Sequence, residues 1–334
     1  MTDYILPPDL VANDIEWRIL DNTAAYSSPL SGAVRTYSRP GNRWGVRMSF
    51  RALSDQKRRR LLSLLAALRG RANRLWFTEP GYTFSGSFAC SELLTNNAAV
   101  FNTTGWTSSN AELILSADSH LGLRLFRSGV TADRYVYQSA LATITSADYA
   151  FRAVVEKGKG NVRIALNAGT TAGDASLVAG TTRTEAGRYT EVFTASGTST
   201  HISLEDEISG RSANEFQFVS WASVARCARV NGGSQTGSAL DIDGLPTSAN
   251  GIIKAGDWFE INGELKRVIA DVNSNASGQG YIMFEPQLRT SPADNTPVIF
   301  RTPMGRFLLT EEASWQTRPG TLSDLTIDLV EDIA

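Results

Sequence analysis

Alternation of apolar and polar positions marks most of this chain as strands. Residues 43–50 place Trp44, Val46, Met48 and Phe50 on one side and Arg43, Arg47 and Ser49 on the other. A period of two is that of a strand buried on one face. Asp14–Leu20 repeats the pattern with Ile15, Trp17 and Ile19, and Pro40-Gly41 supplies a turn before the second run. One segment changes period. Leu61, Leu64, Leu65 and Leu68 recur at helical spacing, Ser54 is a suitable N-cap and Gly70 a suitable stop, which predicts a single helix over about 54–69.

Further on, short runs follow one another at fairly even spacing: 120–126, 133–139, 149–155, 161–166, 188–193, 201–205 and 215–224. Gly, Ser, Thr and Asn separate them, and no helical period intervenes. Such a series predicts a β-sandwich of jelly-roll type. A last β segment follows, with strands at 239–246, 281–288 and 297–302, a hairpin over 255–270 that turns through Asn262-Gly263, and strand-like runs from 307 to 333. The fold class expected is mainly β: a sandwich or barrel scaffold with one helix, plus an inserted jelly roll.

Charge divides the chain in the same places. Residues 1–89 carry 13 Lys+Arg against 7 Asp+Glu, residues 90–229 carry 12 against 13, and residues 230–334 carry 7 against 14. The net charge of −2 hides a basic arm, a near-neutral middle and an acidic arm. Modules enter hosts at exposed loop tips, so the middle reads as an insert. The expected map is a β domain from 1–89 with 303–334, an insert at 90–229, and a small barrel-like domain at 230–302. Cys90 and Cys227 bracket the insert and are expected to be neighbours; a bridge is geometrically feasible, although a reducing cytoplasm disfavours it.

At 42% hydrophobic and 20% charged residues the composition is that of a globular protein rather than a disordered one. The first residues lack a basic stretch leading into an apolar run, so the chain is expected to be made in a cytoplasm. Near-zero net charge argues against a dedicated nucleic-acid binder. The only histidines, His120 and His201, lack partners at metal-ligand spacing, and no nucleophile-elbow, zincin, Walker or Rossmann pattern occurs. Asp241-Ile242-Asp243-Gly244 starts like a calcium loop, but its twelfth position is Ile252, so it reads as a turn. Glu205-Asp206-Glu207 reads as a solvated acidic loop in preference to a calcium site. No catalytic, cofactor or metal residue is assigned, and the chain is read as a non-enzyme.

Two groups of residues are candidates for binding. Tyr135 and Tyr137 share one face of their strand, with Arg134 and Val136 on the other, and Phe218 and Trp221 are expected to point oppositely in theirs. Flat aromatics beside Arg can stack on sugar rings, so Arg134, Tyr135, Tyr137 and Trp221 are the candidate carbohydrate contacts, with core packing as the competing role. Lys57, Arg58, Arg59 and Arg60 sit in the first turns of the helix, where they oppose its dipole. They are either a solvated face or a contact to an acidic neighbouring subunit or to passing DNA.

Several stretches resemble the distal tail, or tail hub, proteins of long-tailed bacteriophages: 27–36 (SSPLSGAVRT), 39–44 (RPGNRW), 68–71 (LRGR), 231–240 (NGGSQTGSAL), 253–261 (IKAGDWFEI) and 315–320 (WQTRPG). The opening of the insert, 91–107, is similar to the start of carbohydrate-binding jelly rolls. The resemblance implies a virion protein forming a homohexameric ring between the tail tube protein and the tail tip or baseplate hub proteins, with DNA passing through its channel in transit. No cofactor is implied. The oppositely charged arms would meet between subunits, and the insert would reach host-surface glycans with the help of avidity. A free-standing polysaccharide-binding or depolymerising protein is the alternative.

Overall fold

The computed structural model describes residues 3–7, 10–38, 41–95, 103–118, 122–129, 133–207, 209–311 and 323–332. His120, Arg39, Pro40 and the 315–320 motif lie outside these. The described chain is mainly β with one α-helix, Asp55–Leu68. It divides into two compact units, one of residues 1–10 with 89–228 and the other of 11–88 with 229–334.

In the scaffold unit (11–88 with 229–334) one sheet runs in the order Arg74–Phe77, Gly305–Leu309, Ser323–Glu331, Arg43–Leu53, Asp14–Leu20. The C-terminal strand is therefore threaded between two elements that come far earlier or just before it. A second sheet is built from Trp258–Ile261, Glu264–Val268, Gly280–Leu288, Gly237–Asp243, Ala228–Val230 and Pro297–Val298. Asn262 (φ 50°) and Gly263 (φ 78°) turn the hairpin as the Asn-Gly pair predicts, both residues left-handed.

Aromatic rings join the two sheets. Trp258 lies 5.0 Å from Trp17 and 4.8 Å from Trp44, ring centre to ring centre, and Trp17 stacks on Phe77 at 5.3 Å. The fully buried Glu331 carboxylate accepts from the backbone N–H of Trp44 (3.2 Å) and Leu265 (3.0 Å) and from Arg289 (2.7 Å). These contacts make residues 230–302 part of the same unit as the N-terminal arm, where the charge and composition map had set them apart.

The opposite charges of the two arms also meet inside this unit. Asp328 pairs with Arg47 at 3.0 Å and Arg18 at 3.7 Å, and Asp332 pairs with Arg74 and, at 3.1 Å, Arg306. Placing strand 323–331 beside strand 43–53 brings acidic residues of the tail onto basic residues of the N-terminal arm.

The helix buries Leu61, Leu64, Leu65 and Leu68, each contributing about 1.5–3 kcal/mol of burial. The Ser54 hydroxyl accepts from the Lys57 N–H, and the helix ends at Arg69 in the left-handed region, followed by Gly70. Its basic first turns are balanced from within the helix: Asp55 pairs with Arg58 at 2.5 Å and Arg59 at 2.6 Å. The Arg58 hydrogen bond holds the Asp55 carboxyl below the usual range. Lys57 and Arg59 are exposed, Arg58 is half-buried and Arg60 is buried.

In the other unit (1–10 with 89–228) the chain passes between two sheets as a jelly roll does. One has the order Ile164–Gly169, Ser199–Asp206, Arg134–Ala142, Thr107–Ser108. Its partner has the order Gly187–Thr194, Asp148–Lys159, Glu215–Arg226, Gly122–Arg127, Leu113–Asp118. Val136, Ile164, Leu166, Ile202 and Leu204 of the first sheet pack with Leu123, Phe151, Val155, Val219 and Val224 of the second. Cys90 and Cys227 are both buried and not joined in a disulfide, and both lie within electrostatic reach of Arg226, whose pKa burial lowers.

Candidate functional site

The four-stranded sheet of this second unit has one face in the core and one turned away from it. Alternation puts Val136, Ile202, Leu204, Ile164 and Leu166 inward, so their neighbours face out. Register then assembles the outer face. Tyr137 lies opposite Ser203, which lies opposite Asn167; Tyr135 lies opposite Glu205; His201 lies opposite Gly169. Tyr135 and Tyr137 are half-buried, their rings 5.8 Å apart and tilted by 54°.

The floor beside the rings is polar. Asn167 donates through Nδ2 to Glu205 Oε2 at 2.7 Å and accepts from the Gly180 N–H at 2.9 Å. This fixes which way the amide points. Ser203 is buried between them, and His201 Nδ1 is buried without a hydrogen-bond partner among the described residues.

A loop shapes one end of the face. Asp174 accepts from the N–H of Thr170 (2.9 Å) and Ser176 (3.0 Å) and from both hydroxyls. The Ser176 hydrogen bond and the other donors hold its carboxyl down to about 2. The loop so tied presents the Ala172 carbonyl to Tyr135 Oη at 3.4 Å and sets Gly173, at φ 78°, against the Tyr135 ring.

The four residues proposed from sequence as sugar contacts do not come together. Tyr135 and Tyr137 share the outer face. Arg134 points the other way, with Val136, and pairs with Glu112 at 3.2 Å. Trp221 belongs to the five-stranded sheet, is 5% exposed, and lies under the Arg152 guanidinium at 4.9 Å. Nor do Phe218 and Trp221 point oppositely. Val154 pairs with Trp221 and Glu156 with Phe218, and the register shifts by one residue between them. The extra residue, Ser220, turns both rings to one face.

Asn167 and Ser203 carried no sequence signal, since single polar residues in strands are common. The Glu205-Asp206-Glu207 run divides its carboxylates three ways. Glu205 faces outward to Asn167, and Glu207 accepts from the Thr182 hydroxyl. Asp206, fully buried, meets Arg127 Nε at 2.7 Å, Gln217 Nε2 at 2.6 Å and Arg211 Nη1 at 3.3 Å. Burial pushes the Asp206 carboxyl up against the pull of both guanidiniums, and lowers Arg211.

No protein-family model matches the chain, and no curated protein matches it. Among solved structures it is similar to the CBM22-1–GH10 modules of Clostridium thermocellum endo-1,4-β-D-xylanase 10B complexed with xylohexaose, at 16% identity and a TM-score of 0.30. That match covers 40% of this chain and 28% of the xylanase chain. It is also similar to the second N-terminal cellulose-binding domain of Cellulomonas fimi β-1,4-glucanase C, at 13% identity over 43% of this chain and 98% of that one, with a TM-score of 0.30. A family 29 carbohydrate-binding module from Piromyces equi matches at 11% identity over 43% of this chain and 89% of that one, with a TM-score of 0.24.

Proposed function

We propose that the unit of residues 89–228 binds a glycan on the outer face of its four-stranded sheet, and that the scaffold unit carries it as a ring subunit of a bacteriophage tail. The observation that supports the glycan reading is the pair of half-buried tyrosines beside an oriented Asn167–Glu205 pair on the outer face of the sheet. Rings of this kind take the apolar face of a sugar, while the partly exposed Glu205 carboxylate, oriented by Asn167, takes its hydroxyl groups. The ring reading is supported by the resemblance of the two arms to tail hub proteins. In that role the partners are further copies of the chain, tail tube and tail tip proteins, and host-surface glycans.

Titration calorimetry against a panel of bacterial surface and plant polysaccharide fragments tests the first part. Tyr137→Ala and Glu205→Gln are each expected to weaken binding about tenfold, the loss of one stacking or charge-assisted contact. Binding that both variants leave intact would move the site elsewhere, and a protein that takes no glycan would end the reading. The solution mass and an electron micrograph of the full chain test the ring.

A further inference from the structure

Strand Asp14–Leu20 does not stop at the edge of its sheet. After Asp21 and Asn22 the chain continues as Thr23–Ser27, turns, and returns as Val34–Ser38 before entering Arg43–Leu53. The two short strands pair with each other and with nothing else among the described strands. They form a ribbon of about 17 Å, at roughly 3.3 Å per residue. Hydrogen bonds from Ser28 N–H to Ala33 O and from Gly32 N–H to Ser28 O, both 2.9 Å, close its tip. Its apolar side chains are uncovered: Tyr26, Leu30, Val34 and Tyr37 are between 64% and 100% exposed. A lone two-stranded ribbon is marginal in water, and apolar residues grouped at one exposed place mark contact surfaces.

The same unit carries a second uncovered apolar place. On the outer face of the second sheet Ile269, Tyr281 and Met283 are 44% to 55% exposed, and the Ile269 N–H bonds to the Met283 carbonyl. The two places carry opposite charges in matching positions. Arg35 lies opposite Tyr26 in the ribbon, so it shares the face of Tyr26 and Tyr37, and Asp241 lies opposite Tyr281 in the sheet. Both are exposed, and neither forms an ion pair among the described residues.

We propose that the ribbon 23–38 is an arm by which one copy of this chain grips the Ile269–Tyr281–Met283 patch of the next, with Arg35 set against Asp241. Two different surfaces meeting in this way make a heterologous contact, which propagates head to tail and closes into a ring when the rotation permits. Tyrosines at the centre of such a contact bury a large rigid surface, and the charge pair sets register. The inference rests on the ring reading of the scaffold and names the contact that builds it; it does not depend on the glycan face.

Sedimentation velocity of the full chain over a range of concentrations tests it. Tyr26→Ser with Tyr37→Ser in the arm, or Tyr281→Ser with Met283→Ser in the patch, should each weaken self-association about tenfold or more. An equimolar mixture of the two variants should give one-to-one dimers and nothing larger, because one intact arm still meets one intact patch. Arg35→Asp should weaken association, and Asp241→Arg in the same chain should restore it, which separates a lost contact from a damaged fold. Rings that persist in the arm variant would overturn the arm while leaving the ring reading standing. Association lost with the arm but not with the patch would overturn the pairing. A wild-type chain that stays monomeric would overturn both.

Discussion

Asp206 is the residue at which the stability of the unit of residues 89–228 can be tested most directly. It ends the strand that carries Ser203 and Glu205 outward, and it points inward to two guanidiniums, Arg127 and Arg211, whose side chains are fully buried like its own. Alanine at this position takes the Asp206 carboxylate away from the buried Arg127 guanidinium and leaves it the Asp206 backbone carbonyl as an acceptor. Arg211 keeps Glu215, at a longer 3.8 Å. Breaking a buried pair costs about 3–5 kcal/mol, chiefly as uncompensated charge. The surviving contacts place Asp206→Ala near the lower end, about 3 kcal/mol. For a unit of this size each kcal/mol moves the midpoint by roughly 3 °C, so the unfolding transition should fall by about 10 °C. Calorimetry measures the shift, and hydrogen exchange of strand 199–206 assigns it to this unit. Replacing Asp206, Arg127 and Arg211 together by Leu, Met and Leu should recover most of the loss, because the three fully buried charges are then removed together. A single-variant shift under about 3 °C, equivalent to roughly 1 kcal/mol, or a triple variant as unstable as the single, would refute the reasoning.

The Asp174 loop gives a pH prediction. Its carboxyl is at about 2 in the folded chain against an ordinary 3.8; a lowered value means the ordering is complete above the ordinary range and lost as pH falls through about 2. Amide signals of residues 170–176 should therefore broaden in acid before those of the neighbouring strands, and a loop that stays ordered at pH 1.5 would contradict this. Gly173→Ala should displace the loop or the Tyr135 ring, since an added Cβ would meet that ring and the backbone there is left-handed. Loss of the Tyr135–Tyr137 contact by NMR, with glycan affinity reduced, is the expected result.

Where a strand has one buried face, the residue pattern showed it in advance. Trp44, Val46, Met48 and Phe50 are all buried, and the four leucines of the helix fill the stripe their spacing foretold. Asn262-Gly263 turned the hairpin because few other pairs accept two left-handed residues. The 23–38 ribbon gave no such sign. Among the described residues both of its faces are exposed, so no alternation of apolar and polar residues is imposed on it. The Ser220 bulge was hidden for a related reason. A one-residue shift leaves composition unchanged and reverses every side chain beyond it.

Sequence alone thus determined the class of the elements with a clear period or turn signal and the division of the chain by charge, since periodicity, caps and turns act within a few residues. Which elements share a sheet was decided only by the tertiary structure. Strand 323–331 pairs with 43–53 across nearly the whole chain, and this pairing brings the acidic tail onto the basic arm. Register likewise decided the outer face of the four-stranded sheet. It set Tyr137 beside Ser203 and Asn167, turned Arg134 inward to Glu112, and buried Trp221 in the other sheet. The alternation of a strand says that neighbours face opposite ways, but which face meets the core depends on what the rest of the chain lays against it.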